Sequence, residues 1–184
     1  MHPPLLADPT MAALCQQHGP ARLKTRPAFE SLLGAIASQQ ISGRAAATIL
    51  GRLRRRVGFT QRALATAHLN TLRASGLSRA KSLATRDLAR FARAGGLRGL
   101  DRMSDESVIE RLIQVRGIGV WTAHMFLMFS LGRVDVWPIG DGGVQRAAAT
   151  LYGTTDQETL LDLGERFRPW RSHAAWYLWR SLDG

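Results

Sequence analysis

The sequence predicts an all-α protein, and three observations carry that expectation. Apolar residues recur at helical spacing in most segments, Ser, Thr or Asn stands just before several of those segments, and strand patterns are nearly absent. With 184 residues the chain is long enough for one domain, or for two small lobes sharing a cleft, and for a substantial core.

Each helix has its own signal. A first helix is expected from Thr10, through MAALCQQH, ending at Gly19-Pro20, with Leu23 to Pro27 as a connector. Phe29, Leu32, Leu33 and Ile36 share a helical face, and a polar interruption, Ser38 to Ser42, separates that helix from one over Gly43 to Val57. Gln39 and Gln40 in this interruption have two readings: they cap backbone groups, or their long amides fill a hole left in stacked bases. Arg52, Arg54, Arg55 and Arg56 close the second helix, where cations suit both the dipole and the solvent. Thr60 and Asn70 are expected as N-caps of two short helices, and Ser78 as the cap of a longer one that ends at Gly95-Gly96. Arg79 and Lys81 in its first turn oppose the helix dipole, so an external phosphate explains them better than helix stability does. Ser104 caps a helix whose stripe is Val108, Ile109, Leu112 and Ile113. Later helices are expected around Val144 to Leu151, after Thr155 with Glu158 at capping-box spacing, and from Pro169 to the aromatic-rich end.

Composition narrows the partner. Lysine plus arginine number 25 against 14 acidic residues, a net charge of +11, and the lysines are Lys24 and Lys81 alone. An anionic partner follows, with nucleic acid ahead of an acidic membrane because no basic amphipathic anchor is present; solubility with an arginine-rich codon bias is the plainer alternative. The single cysteine, Cys15, excludes an internal disulfide, a CxxC zinc site and a four-cysteine iron-sulfur cluster, and fits a reducing cytoplasm. The first ten residues lack a signal-peptide pattern, and the run Met125 to Phe129 is too short to span a bilayer, so a soluble intracellular protein is expected.

Chemistry concentrates between Leu112 and Asp141. Arg116, Gly117, Ile118 and Gly119 form a tight turn between two apolar-periodic segments, and a helix starts at about Val120 with unsatisfied backbone N–H groups that suit a phosphate. No strand precedes the glycines, which removes a dinucleotide-binding reading and leaves a helix-hairpin-helix DNA motif or an ordinary helical turn. The following helix carries Trp121, His124, Met125 and Met128, breaks at Gly132, and leads through Pro138 to Asp141. Taken alone, Asp141 between Gly140 and Gly142 reads as an N-cap.

Five stretches, LLGAIASQQIS (Leu32 to Ser42), GLSRAKSLATRDLA (Gly76 to Ala89), VRGIGVWTAHMFLMF (Val115 to Phe129), DVWPIGDGGV (Asp135 to Val144) and RPWRSHAAWYLWRSL (Arg168 to Leu182), together resemble one family. It is the helix-hairpin-helix glycine/proline/aspartate (HhH-GPD) superfamily of base-excision DNA glycosylases, in its alkyladenine, DNA-3-methyladenine glycosylase II branch. The resemblance implies two helical lobes flanking an active-site cleft, one of about 30–115 and one of the N-terminal helix plus about 116–184, with no N-terminal β domain. It places the catalytic aspartate at Asp141 and leaves Asp135 a structural acid. Trp121 stands where bifunctional relatives carry a Schiff-base lysine, so lysine-dependent lyase chemistry is not expected.

Trp121, Met125 and Trp179 are implied to contact the base, core packing being the alternative for the two tryptophans. Met125 replaces a tyrosine of one branch. DNA contacts are implied at Gln39, Gln40, Arg79, Lys81, Gly117, Gly119 and Val120, with the residue that inserts into the stack somewhere between Ile36 and Ile41. A monovalent cation, K or Na, at the backbone of Val115 and Ile118 is a further implication; no other cofactor is expected. The activity implied is hydrolysis of the N-glycosidic bond of alkylated purines in duplex DNA, by a monomer in a bacterial cytoplasm. A non-catalytic DNA-binding module and a bifunctional oxidised-base glycosylase/lyase are the competing expectations.

Overall fold

The computed structural model describes residues 2–183, and among them helices and connecting turns account for all regular structure. The helices are α1 Pro3–Leu6, α2 Pro9–His18, α3 Ala28–Ser38, α4 Gly43–Arg56, α5 Gln61–Thr66, α6 Leu69–Arg73, α7 Arg79–Arg93, α8 Asp105–Leu112, α9 Val120–Phe129, α10 Gly142–Tyr152, α11 Gln157–Glu165 and α12 Arg171–Arg180. The all-α expectation holds. Backbone contacts divide the chain into two compact units, Arg26–Phe126 on one hand and Met1–Thr25 with Leu127–Gly184 on the other, so the division falls within α9.

In the unit Arg26–Phe126, α7 packs against α3, α5 and α6. Its buried face, Ala84, Leu88 and Ala89, meets a core that includes Leu32, Leu33 and Ile36 of α3 and Leu64 of α5. Removing each leucine or isoleucine of this core from water contributes roughly 1.5–3 kcal/mol, and each alanine less, which is why α7 holds its place although most of its polar residues are charged. α4 is different: of its residues, Ala46 and Leu53 alone are buried.

In the other unit the organising helix is α12, which packs on α2, α10 and α11. Ala174, Ala175, Tyr177 and Leu178 supply its buried face. The Tyr177 hydroxyl donates to Gly19 O (2.8 Å) and accepts from Ala21 N (3.1 Å), which ties down the chain leaving α2. Burial pushes this phenol up to about 12.

Most caps stand where expected, with Ser78, Thr60 and Ser104 each accepting from a backbone amide three residues on. Four boundaries differ. α2 begins at Pro9, not Thr10, because Asp8 accepts from Met11 N and proline takes the first helical position. The cap of α6 is His68, whose Nδ1 accepts from Asn70 N at 3.2 Å, so Asn70 lies inside the helix. Asp156 rather than Thr155 caps α11, its carboxylate accepting from both the amide and the hydroxyl of Thr159. The last helix starts at Arg171, two residues beyond Pro169, with Trp170 at the cap position.

Candidate functional site

Asp141 ends a loop that the surrounding residues hold at several points. Arg168 and Arg171 both pair with the Asp135 carboxylate, at 3.1 and 2.8 Å, and Ser172 Oγ donates to Arg133 O (2.8 Å) while accepting from Val136 N (3.0 Å). Asp135 is thus a structural acid, clamping the N-terminus of α12 to the segment before the loop. Trp137 is buried and its indole N–H donates to Leu160 O at 3.0 Å. It lies so close to α11 that a side-chain carbon at Gly164 would stand 2.6 Å from its Nε1. The loop then closes through a bond from Asp141 N to Pro138 O, 2.8 Å.

The carboxylate that results is buried, 9% exposed, and its Oδ1 accepts three N–H groups: Gly143 N and Val144 N at 2.9 Å and Trp179 Nε1 at 2.7 Å. Two of these make Asp141 the N-cap of α10, as its local sequence suggested. The third does not belong to capping. It comes from α12, thirty-eight positions along the chain, and fixes the carboxylate sideways. Trp179 therefore spends its indole N–H on Asp141, while its ring sits 5.9 Å from that of Phe129.

Gly143 permits this arrangement, since a side-chain carbon there would stand 2.8 Å from Trp179 Cδ1 and 2.9 Å from Asp141 Oδ1. Sequence reasoning missed Gly143. The signal was the glycine pair directly after the aspartate, in a helix's first turn, where glycine has no capping advantage.

In the unit Arg26–Phe126 the hairpin is built separately. Gly117 adopts φ +77°, and a side-chain carbon there would lie 3.0 Å from Ala84 Cβ of α7, so both the backbone conformation and the space favour glycine. Ile118 N donates to Val115 O and Ala123 N to Gly119 O, both at 3.0 Å, which sets the turn into α9. Asp87 of α7 accepts the Arg116 amide at 2.9 Å. Gly117, Gly119 and Val120 are exposed, and Trp121 in the first turn of α9 is 39% exposed. Met125, one turn on, and His124 are half-buried. Burial holds the His124 imidazole below its ordinary range, with Asp105 opposing that shift.

Two predicted DNA-contacting side chains have partners inside the protein. Lys81 Nζ donates to Ala37 O (2.9 Å) and Gln39 O (2.6 Å), which places its cation at the C-terminal end of α3, where the helix dipole welcomes it. Gln39 Nε2 donates to Gly117 O at 2.8 Å and so braces the hairpin. Gln40 behaves otherwise: it is exposed and has φ +57°, a left-handed conformation that a residue other than glycine adopts at a cost. Arg79 is exposed beside Ser78, and Ile36 is completely buried, which removes it as an inserting residue.

The structure therefore brings Asp141 and Trp179 together in one unit, and Gln39, Lys81 and Gly117 together in the other. No group of three or more His, Cys, Asp or Glu side chains able to hold a metal ion occurs among the described residues. No helix among them is long and apolar enough to cross a membrane.

Comparison with known proteins identifies the family. The family described as HhH-GPD superfamily base excision DNA repair protein matches residues 33–172. DNA-3-methyladenine glycosylase 1 of Schizosaccharomyces pombe is 32% identical over 169 residues, covering 86% of this chain and 74% of the relative. Among solved structures, a DNA-3-methyladenine glycosidase from Bacillus halodurans superposes with a TM-score of 0.85 at 35% identity, over 98% of this chain and 89% of that one. The S. pombe 3-methyladenine DNA glycosylase in complex with abasic DNA gives 0.84 at 30% identity, over 96% and 93%. With the family matched over residues 33–172, most of its length, this chain belongs to the HhH-GPD superfamily of base excision DNA repair proteins.

Proposed function

We propose that the protein is a monofunctional DNA glycosylase that hydrolyses the N-glycosidic bond of alkylated purines, of the 3-methyladenine and 7-methylguanine type, in duplex DNA. The observation that carries this reading is the Asp141 carboxylate, held by two helix amides and the Trp179 indole. A cap needs backbone donors alone; the added side-chain donor and the space kept at Gly143 serve a carboxylate whose position matters. Relatives named as 3-methyladenine glycosylases, one of them in complex with abasic DNA, support the same reading.

The hairpin amides around Gly117, Gly119 and Val120 bind a backbone phosphate without reading sequence. Gln40 enters the stack as the damaged nucleotide leaves it, and the cost of its backbone conformation is the kind found at such functional points. Trp121 and Met125 contact the extruded base, the tryptophan face attracting a cationic methylated purine. The C1′–N bond breaks with its electron pair passing to the purine, whose positive charge it cancels. Asp141 stabilises the oxocarbenium-like sugar until water adds at C1′ and loses its proton to solvent. A second carboxylate is unnecessary because the leaving group is already charged.

With lysines at 24 and 81 alone, and Lys81 committed to Ala37 and Gln39, no amine is available for a Schiff base beside the hairpin. The backbone carbonyls of Val115 and Ile118 would hold a monovalent cation. Val115 O already accepts the Ile118 amide and keeps a second lone pair, and what such an ion supplies is positive charge beside a phosphate. The protein acts as a monomer in the cytoplasm.

The test is base release from a panel of defined lesions in duplex DNA. Free 3-methyladenine without strand cleavage or a borohydride-trapped adduct is the expected result. Trapping with nicking would make the protein a glycosylase/lyase, and binding without release would leave it a DNA-binding module.

A further inference from the structure

α4 is a helix that the fold does not need to cover. Arg44, Thr48, Arg52 and Arg55 recur at i, i+4, i+8 and i+11, a single face, with Ala45 and Ile49 alongside. A groove of about 370 Å³ runs beside this face, lined by Ser42, Arg44, Ala45, Thr48, Ile49 and Arg52. The turn between α6 and α7 lies against it: a side-chain carbon at Gly76 would stand 3.0 Å from Ile49 Cγ1 and 3.9 Å from Arg52 Nη1. A second groove, about 580 Å³, opens at that turn and includes Arg73, Gly76 and Arg79 in its wall. Gly76 thus belongs to a joint between two adjoining grooves.

The charges on this surface are one-sided. Neither groove is lined by an Asp or Glu among the described residues. Glu30 pairs with Arg54 at 3.5 Å, and Asp87 accepts the Arg116 amide. Arg54 also lies over the Phe59 ring at 4.5 Å, so the one arginine of this helix with an internal role faces away from the stripe. Arg44, Arg52 and Arg73 serve no ion pair within the described residues. Between the arginines stand Ala45, Thr48 and Gly51, small enough for a polyanion backbone to approach closely. The rise from Arg44 to Arg52 is about 12 Å at 1.5 Å per residue. That spans three to four base-pair steps, at a rise of about 3.4 Å each along the duplex axis. The groove also begins at Ser42, two residues after the exposed Gln40.

We propose that the exposed face of α4 and the α6–α7 turn form a second phosphate-binding surface, which holds undamaged duplex DNA flanking the lesion through Arg44, Arg52 and Arg73. The proposal rests on the glycosylase reading, since that reading supplies the duplex. Its role is to lengthen the time spent on DNA without touching the chemistry.

The test replaces Arg44, Arg52 and Arg73 together by glutamine and measures binding to undamaged duplex across a salt series. Each phosphate that the protein no longer neutralises lowers the slope of log K against log salt by about 0.9, so the triple variant should lose roughly 2–3 in slope. Base release at saturating enzyme should stay within about twofold of the unsubstituted protein. The corresponding triple lysine variant should restore the slope, because charge and not packing carries the interaction. An unchanged slope in the glutamine variant overturns the proposal, and so does a lysine variant as weak as the glutamine one. An acidic polypeptide that competes with duplex DNA at equal charge would also overturn it, by showing a protein partner. Failure of the unsubstituted protein to release any alkylated base, with the slope change intact, would instead count against the glycosylase reading alone.

Discussion

The Asp141 loop and the Gly117 hairpin solve different physical problems. At Asp141 a side chain is held: its oxygen is buried and takes donors from α10 and α12 together. At the hairpin the backbone is held and the surface is left open, with Gln39 and Asp87 bracing the turn from behind while Gly117 and Gly119 stay exposed. On the proposed function, chemistry on a sugar needs one charged atom fixed in place, and the supports at Asp141 converge on the side chain. Phosphate binding would need backbone N–H groups facing water, and the supports at the hairpin attach to the Gly117 carbonyl and the Arg116 amide behind the turn.

One substitution separates the two regions outright. Asp141→Asn keeps an oxygen for the cap but removes the charge, and base release should fall by at least about 100-fold. Affinity for undamaged duplex, measured by gel shift or anisotropy, should stay the same; a variant that still releases base at full rate would remove Asp141 from the chemistry. Lys81→Met acts on the other side. Two carbonyls at the end of α3 lose a charged donor, worth about 2 kcal/mol in sum, and the melting temperature should drop by about 4–8 °C. If Lys81 instead met a phosphate directly, stability would hold and the salt slope of DNA binding would fall by about 1.

Trp179→Phe keeps the ring and deletes one donor to Asp141, so kcat should fall about tenfold with DNA affinity unchanged, as one charge-assisted hydrogen bond is worth about 1.5 kcal/mol. A matching rise in KM without loss of kcat would mean that Trp179 serves base binding alone. Gln40→Gly relieves a left-handed backbone and should raise unfolding stability by up to about 1 kcal/mol in a urea titration. The same variant should lose activity on duplex more than on single-stranded substrate, if Gln40 fills the vacated stack.

Acid should produce a gentler contrast, seen in stability. Burial lowers the imidazoles of His124 and His173 below their ordinary 6.5, with Asp105 opposing at His124 and the His2 charge adding at His173. As pH falls, the unfolded chain takes up these protons before the folded one. Their contribution to stability is therefore complete above about 6.5 and declines as pH drops from there through the lowered folded values. Melting temperatures between about pH 7.5 and 5 should show the decline, and His124→Gln should flatten part of it. His173→Gln does the same for the other unit, and comparing the two slopes shows which region the acid loosens first.

Much of this protein was legible from local sequence because the interactions concerned are local. Ser78, Thr60 and Ser104 cap helices three residues away, and the glycines of the hairpin and of the Asp141 loop mark turns by themselves. Even the boundary missed at Thr10 was readable, since Asp8-Pro9 is a cap followed by the residue suited to a helix's first position. The competition at Thr155 and Asp156 was also local, and the stronger acceptor prevailed.

Side chains that reach across the fold are another matter. Lys81 looked like a cation out of place at a helix start; its partners lie 42 and 44 positions earlier and turn it into a support for α3. Gln39 meets Gly117 across 78 positions, and Trp179 meets Asp141 across 38, so neither spacing leaves a period in the sequence. The helices after α1, the two glycine turns and the aspartate within the second of them could be read from the residue order, because each depends on neighbours within a turn or two. Which atoms hold that aspartate, and which glutamine braces the hairpin while the next stays exposed, depended on packing of helices far apart in the chain, where only three-dimensional contact selects the partner.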